Sequence, residues 1–280
     1  VRALGVIFLS SFAAFANAQN TAAMWSFEIV EQTPHQRSAF TQGLVMHEGT
    51  LYEGTGGYGE SALLRVDRES GEILARRALP ATLFGEGITV HDDEIWQLTW
   101  REGRGLIYDL DFQLLREFRI DGEGWGIASD GERLVMSDGS DQLTWLCPED
   151  GRALRRVAVR DGLRRVRHLN ELEFVDGRLF ANVWLTDRIA IIDPDSGRVS
   201  GWLDLAGLRS QFAPPPGFRP REDVLNGIAW DAERELLLVT GKRWPVLFAL
   251  RLLPAGGAAE KPGEGGRGND TFPPAADAIP

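Results

Sequence analysis

Glu86-Gly87-Ile88, with an apolar strand opening at Ile95, is one of five segments built alike along this chain. The others begin Gln42-Gly43-Leu44, Trp125-Gly126-Ile127, Asn170-Glu171-Leu172 and Asn226-Gly227-Ile228, and their strands open at Leu51, Leu134, Leu179 and Leu236. A polar or aromatic residue heads each segment, 9 or 10 residues before its strand. Successive openings lie 44, 39, 45 and 57 residues apart, which suits one four-stranded propeller blade of about 40 to 50 residues per repeat. The spacing predicts an all-β chain folded as a five-bladed β-propeller.

Working outward from the repeat, Leu63 to Asp67 and Ile189 to Asp193 read as third strands. Each is followed by a tight turn at Ser70-Gly71 or Ser196-Gly197 and then a fourth strand. The longest gap contains Gln211 to Asp223, where Pro214, Pro215, Pro216 and Pro220 exclude a strand interior. An insertion loop on the propeller surface is expected there. No stretch sustains helical periodicity over a dozen residues, which argues against an α/β sheet or a helical bundle.

The first 18 residues run from Arg2 through an apolar stretch to Ala16-Asn17-Ala18, the pattern of a signal peptide with a small-x-small cleavage site. The apolar run is short for a membrane span. The expected organisation is a leader over 1–18, a propeller domain over 19–253 and a disordered Gly, Pro and Ala-rich tail over 254–280. The expected location is the periplasm or the exterior, with no membrane span in the mature chain. The formal net charge of -11 does not suit nucleic acid. The local basic run around Arg155, Arg156, Arg160, Arg164, Arg165 and Arg167 reads as a solvated strand and turn. Cys147 is alone, so an intrachain disulfide and a thiolate metal cluster are both excluded.

In a propeller, residues at one register of every blade gather around one rim of the central channel. One such register is the head of each innermost strand: Gln42, Glu86, Trp125, Asn170 and Asn226. The other is the end of the next strand, at Gly56, Trp100, Gly139, Trp184 and Gly241, with Lys242 following. Antiparallel pairing returns that end to the same face. An acid, an amine, several amides and three indoles are thus expected at one opening, and core filling has no need of Glu and Lys there. Plainer roles exist for each residue. The indoles can pack blades as Trp96 and Trp145 do, the Asn side chains can bond turn backbone, and Glu86 can pair with Lys242 as pure structure. Glu171 and Glu173 alternate with Leu172 and Phe174; solvated strand charge is the favoured reading, with one of the two facing the channel as the alternative. The four His share no metal-ligand spacing, and Ser137-Asp138-Gly139-Ser140-Asp141 reads as a turn rather than a calcium loop.

Eight strings in order resemble the plant and bacterial type of glutaminyl-peptide cyclotransferase, over about Phe27 to Leu252. They are Phe40-Thr41-Gln42-Gly43-Leu44, Phe84-Gly85-Glu86-Gly87-Ile88, Gln97-Leu98-Thr99-Trp100, Gly124-Trp125-Gly126, Leu169-Asn170-Glu171-Leu172-Glu173, Ala181-Asn182-Val183-Trp184, Leu225-Asn226-Gly227-Ile228-Ala229 and Thr240-Gly241-Lys242-Arg243-Trp244-Pro245. The resemblance implies conversion of the N-terminal glutamine of peptides and proteins to pyroglutamate, with release of ammonia. It implies Glu86 as catalytic acid/base, with Lys242 and Asn170 in catalytic support. Gln42, Trp100, Trp125 and Trp184 are implied in the substrate pocket, and Phe40 and Phe84 as its walls. No cofactor is implied for catalysis. Some members of that family hold calcium in the channel; here, backbone and Asn carbonyls near Leu169-Asn170 and Leu225-Asn226 would have to serve, and the metal is left open. The alternative is a non-catalytic periplasmic propeller that binds peptides or sugars, which would keep the indoles but has no need of Glu86 and Lys242 together. A metal-dependent propeller hydrolase would need more acids than this rim offers.

Overall fold

The computed structural model describes residues 22–255. The leader expected over 1–18 and the tail beyond 255 lie outside the described residues. Strand β1 (Ala23–Pro34) comes first. It is followed by β2 (Thr41–His47), β3 (Thr50–Thr55), β4 (Ala62–Val66) and β5 (Ile73–Ala78), which form an antiparallel sheet in chain order. A second such sheet holds β6 (Gly85–His91), β7 (Glu94–Thr99), β8 (Arg104–Asp109) and β9 (Leu114–Arg119). A third holds β10 (Ile127–Ser129), β11 (Leu134–Ser137), β12 (Gln142–Leu146) and β13 (Ala153–Ala158). A small hairpin of β14 (Arg160–Asp161) and β15 (Arg164–Arg165) follows.

The remaining strands are β16 (Leu169–Val175), β17 (Arg178–Val183), β18 (Arg188–Ile192), β19 (Val199–Asp204), β20 (Leu225–Asp231), β21 (Leu236–Gly241) and β22 (Val246–Leu253). They join β1 in one eight-stranded sheet ordered β16-β17-β18-β19-β1-β22-β21-β20. The architecture is all-β, and the sheet order is that of a propeller-like fold. The only helical element among the described residues is a 3₁₀ segment, Ala206–Gln211.

Local chemistry sets the hairpins. In the turn after β4, Asp67 Oδ1 accepts from the Ser70 amide and hydroxyl, each at 2.7 Å. After β18, Asp193 Oδ1 does the same with Ser196 at 2.9 and 2.7 Å. Such side-chain bonds stabilise a turn without any ladder partner. Apolar faces of adjacent sheets then interleave: Trp96, Leu98 and Ile107 meet Ile127 and Leu134 in one cluster. Each fully buried side chain of this size stabilises by about 1.5–3 kcal/mol. Trp96 and Trp145 are buried packing residues, as expected.

The two ends of the described residues are tied together by β1, which runs antiparallel to β22 from Ser26 opposite Leu253 to Pro34 opposite Val246. The following residue, His35, is a latch: its ring nitrogens contact the Trp244 carbonyl at 2.7 Å and the buried Glu53 carboxylate at 3.2 Å. Burial alone would lower the imidazole pKa, but the Glu53 charge and these bonds outweigh it and raise it.

The innermost strands pack in a ring, β2 on β6, β6 on β10, β10 on β16, β16 on β20 and β20 on β2. Their approach explains the glycine that follows four of the five heading residues. A Cβ on Gly43 would lie 2.3 Å from the Ile88 amide nitrogen, and one on Gly126 would lie 2.1 Å from the Asn170 carbonyl oxygen. We expect Gly126→Ala to lower the thermal midpoint clearly, by the about 1–3 kcal/mol or more that overpacking costs. Gly207→Ala, with nothing within 4 Å of the added carbon, should leave it nearly unchanged. Equal midpoints for the two variants in thermal unfolding would contradict this packing.

The fourth segment has Glu171 where the others have glycine, and here the expectation of solvated strand charge is corrected. Glu171 is 1% exposed. Its carboxylate accepts from the Leu44 amide at 3.3 Å and the Ile228 amide at 2.8 Å, joining β16 to both β2 and β20. Glu173 accepts from the Trp230 amide at 3.2 Å. Burial pushes both carboxyls well above the usual range, and the Glu173 charge pushes Glu171 further. Alternation along a strand does place both Glu on the face opposite the apolar one, but on this innermost strand the neighbouring inner strands enclose that face at Glu171 and half-cover it at Glu173.

Candidate active site

Four ladders bring the two registers together. Thr41 pairs with Thr55, Gly85 with Thr99, Leu169 with Val183 and Leu225 with Gly241, and each ladder shifts register just after that pair. Gln42, Glu86, Asn170 and Asn226 all stand inside these irregularities. A bulge re-aims a side chain that regular pleating would send elsewhere.

The outcome is a cavity of about 290 Å³ at the opening, built in three levels. Gln42, Glu86, Asn170 and Lys242 are buried and form its polar floor. Phe40, Phe84, Trp100, Trp125 and Trp184 are half-buried and form its walls. Arg221 and Glu222 are exposed and stand at its mouth. The nine residues that the resemblance implies for the site all line this one cavity, whereas Asn226, which the first register also placed at the rim, does not. The second register also gains a physical reading, because its glycines are seats for rings. A Cβ on Gly56 would lie 2.4 Å from the Phe84 ring, and one on Gly139 would lie 2.6 Å from the Trp125 indole. Where that register carries Trp100 and Trp184, the indoles themselves line the cavity.

On the floor, Asn226 Nδ2 donates to the Thr41 carbonyl at 3.1 Å and to Gln42 Oε1 at 3.4 Å, and Gln42 Nε2 donates to Glu86 Oε1 at 3.2 Å. Asn226 thus lies beneath the rim and sets which way the Gln42 amide faces. Glu86 is 5% exposed, and so is Lys242, whose Nζ sits 4.8 Å from the Phe40 ring centroid. Glu86 bonds to Gln42 and Lys242 lies against the Phe40 ring, both line the cavity, and no ion pair at contact distance joins the two among the described residues, which argues against a closed structural ion pair.

Burial drives the Glu86 carboxyl well above its usual range. Lys242 opposes that shift, while Glu123 and Glu102 add to it. Burial also draws the Lys242 ammonium down to about 8, with Glu86 opposing and Arg243 assisting. Burial thus shifts the two in opposite senses, Glu86 upward and Lys242 downward.

One wall-supporting residue escaped the sequence reading. Glu123 Oε2 accepts from Trp100 Nε1 at 2.9 Å and from Trp125 Nε1 at 3.0 Å, while Oε1 accepts from Arg101 Nε at 2.9 Å. A single carboxylate thus fixes two indoles from two sheets, and the Arg101 guanidinium stacks 3.7 Å over the Trp100 ring. Burial alone would raise the Glu123 carboxyl; the three donors more than reverse that. Its place two residues before Trp125 gave no sign that the side chain folds back onto the rim. Arg221 and Glu222 were missed because they belong to the proline-rich loop, whose position no periodicity predicts.

A propeller-like ring of sheets with a small aromatic cavity at its opening, floored by a buried acid and a buried amine, defines a site for the end of a chain or a small polar group. The glutamine cyclotransferase profile matches residues 3–252. The chain is 40% identical over 231 residues to the glutaminyl-peptide cyclotransferase of Arabidopsis thaliana, covering 81% of this chain and 72% of that one. Its structure is similar to the crystal structure of Myxococcus xanthus glutaminyl cyclase, with a TM-score of 0.77, 34% identity, and coverage of 83% of this chain and 99% of that one. This chain belongs to the glutamine cyclotransferase family.

Proposed function

We propose that this protein cyclises the N-terminal glutamine of peptides and proteins to pyroglutamate and releases ammonia. The observation that carries the reading is that Glu86 and Lys242 are both buried and both line one aromatic cavity. In the reaction, the α-amine nitrogen bonds to the side-chain amide carbon, the bond from that carbon to its nitrogen breaks, and the nitrogen leaves as ammonia. Because attack is intramolecular, the substrate supplies proximity, and the protein must hold one rotamer and move protons. Glu86 takes the proton from the attacking amine and delivers it to the leaving nitrogen. Lys242, with Asn170, steadies the negative charge that develops on the amide oxygen. Gln42 orients Glu86, the indoles clasp the flat side chain, and Phe40 and Phe84 close the wall. A non-catalytic binder of peptides or sugars has no use for the two buried charges.

The architecture that supports this reading is a five-bladed propeller. On that view the eight-stranded sheet is two blades joined where β1 also pairs with β19 over Ala23 to Trp25. The domain then spans 19–253 behind a cleaved leader, which directs the protein to the periplasm or exterior. No helix of the described residues is long and apolar enough to cross a membrane. No group of three or more His, Cys, Asp or Glu suited to a metal occurs among the described residues. The Asn170 and Asn226 side-chain oxygens are buried without partners and are hard donors of the kind calcium takes. A channel calcium would be held there, as a structural ion.

Incubation with a Gln-leading peptide should release ammonia, and the same peptide led by Leu, which has no amide to displace, should compete only weakly for the site, because a floor built for a primary amide leaves its polar groups unpaired against an apolar side chain. Failure with every Gln-leading peptide would refute the proposal. We further expect Glu123→Ala to raise KM on the order of ten-fold with a smaller change in kcat, since two indoles lose a charged acceptor. Glu123→Gln should recover part of that loss and move the acid limb of the pH profile downward, because the Glu123 charge helps hold Glu86 up. Steady-state kinetics on the two variants checks both; an unchanged KM in Glu123→Ala would make the indole bonds irrelevant to binding.

A further inference from the structure

The proline-rich loop is held against the site by more than chain connection. Phe212 packs on the Trp244 ring at 5.0 Å and on Phe248 at 6.4 Å. At the loop's other end, the buried Asp223 accepts from the Arg219 amide at 2.6 Å and from Arg243 at 3.1 Å, and its carbonyl accepts from Trp244 Nε1 at 2.9 Å. The next residue, Val224, accepts from the Lys242 amide at 3.0 Å. Residues 219–224 are therefore fixed to the segment that carries Lys242, and Arg221 and Glu222 are the exposed residues this places on the cavity's edge.

Their charges are not equivalent. Glu222 is neutralised by Arg219 at 2.6 Å. Arg221 has no carboxylate within ion-pair distance among the described residues. Elsewhere on the rim the acids are engaged: Glu123 holds Arg101 and the two indoles, and Glu102 accepts from the Tyr58 hydroxyl at 2.9 Å. Glu102 keeps its charge, since its partner is a neutral hydroxyl, but it does not line the cavity. With the glutamine seated on the floor, the rest of a peptide has to leave past the loop edge, where the charge lining the cavity without an ion-pair partner among the described residues is the Arg221 guanidinium.

The geometry points to a second subsite at Arg221 that takes an acidic residue immediately after the glutamine, an inference that rests on the cyclotransferase reading above. A guanidinium and a carboxylate in solvent attract weakly, and a like charge is repelled by a similar amount. The expected preference for Glu over Lys at the second position is therefore about three- to ten-fold in kcat/KM. It should shrink as salt is added, since the Debye length falls from about 10 Å at 0.1 M to about 3 Å at 1 M.

The test uses three peptides of equal length, Gln-Glu-, Gln-Ala- and Gln-Lys-, with ammonia release measured at low and high salt for the natural protein, Arg221→Ala and Arg221→Glu. The natural protein should favour Glu over Ala over Lys. Arg221→Ala should bring the Glu-to-Lys ratio towards one, and Arg221→Glu should invert it, with the change falling mainly on KM. Equal rates on all three peptides, or the same order of preference in Arg221→Ala as in the natural protein, would overturn the subsite while leaving the cyclotransferase reading intact. Turnover of none of the peptides would overturn both.

Discussion

Replacing Glu86 with Gln is expected to lower ammonia release from a Gln-leading peptide by about 10²–10⁴-fold, the range that a positioned general acid/base contributes. The amide keeps the shape of the carboxylate and can still meet the Gln42 side chain, which lies 3.2 Å away in the natural protein, but it cannot take the amine's proton. The fold should survive, because an isosteric neutral group avoids the desolvation that a buried carboxylate suffers. Lys242 then loses the charge that opposed its burial and should titrate below its present value of about 8. Near-normal turnover in this variant would remove Glu86 from the chemistry.

The second large effect is expected for Lys242→Met, which keeps length and apolar bulk while deleting the ammonium. Loss of one donor to a developing oxyanion typically costs about 10²–10³-fold. The pH profile should change shape as well as height. In the natural protein the acid limb of kcat follows protonation of Glu86, whose carboxyl burial has raised, so activity falls as pH drops through that raised value. The alkaline limb follows loss of the Lys242 proton, so activity falls as pH climbs past about 8. The two charges interact, so each limb belongs to the pair. Without Lys242 the upward push on Glu86 loses the cation that opposed it, and the acid limb should move to higher pH while the alkaline limb disappears. An alkaline limb that persists unchanged in Lys242→Met would assign it to another group.

Much of this site was legible before the fold was known, and the reason is geometric. Antiparallel pairing returns the end of one strand to the start of the previous one, so two registers read from the sequence became one rim, and Gln42, Glu86, Trp100, Asn170, Trp184 and Lys242 met there. Glu171 was misread for an equally plain reason. Alternation says which face of β16 a side chain takes but not whether that face is wet, and only the ring of inner strands makes it a channel that the Glu171 carboxylate crosses to Leu44 and Ile228. Glu123 and Arg221 were out of reach because loops place them, and loop position depends on contacts such as Phe212 on Trp244 that no repeat encodes.

The most direct test of the chemistry uses a Gln-leading peptide carrying a heavy-nitrogen label in its side-chain amide alone. If the α-amine displaces that amide, every ammonia released is labelled and the cyclised peptide has lost all of the label. Label retained in the peptide product, or unlabelled ammonia in solution, would contradict the account.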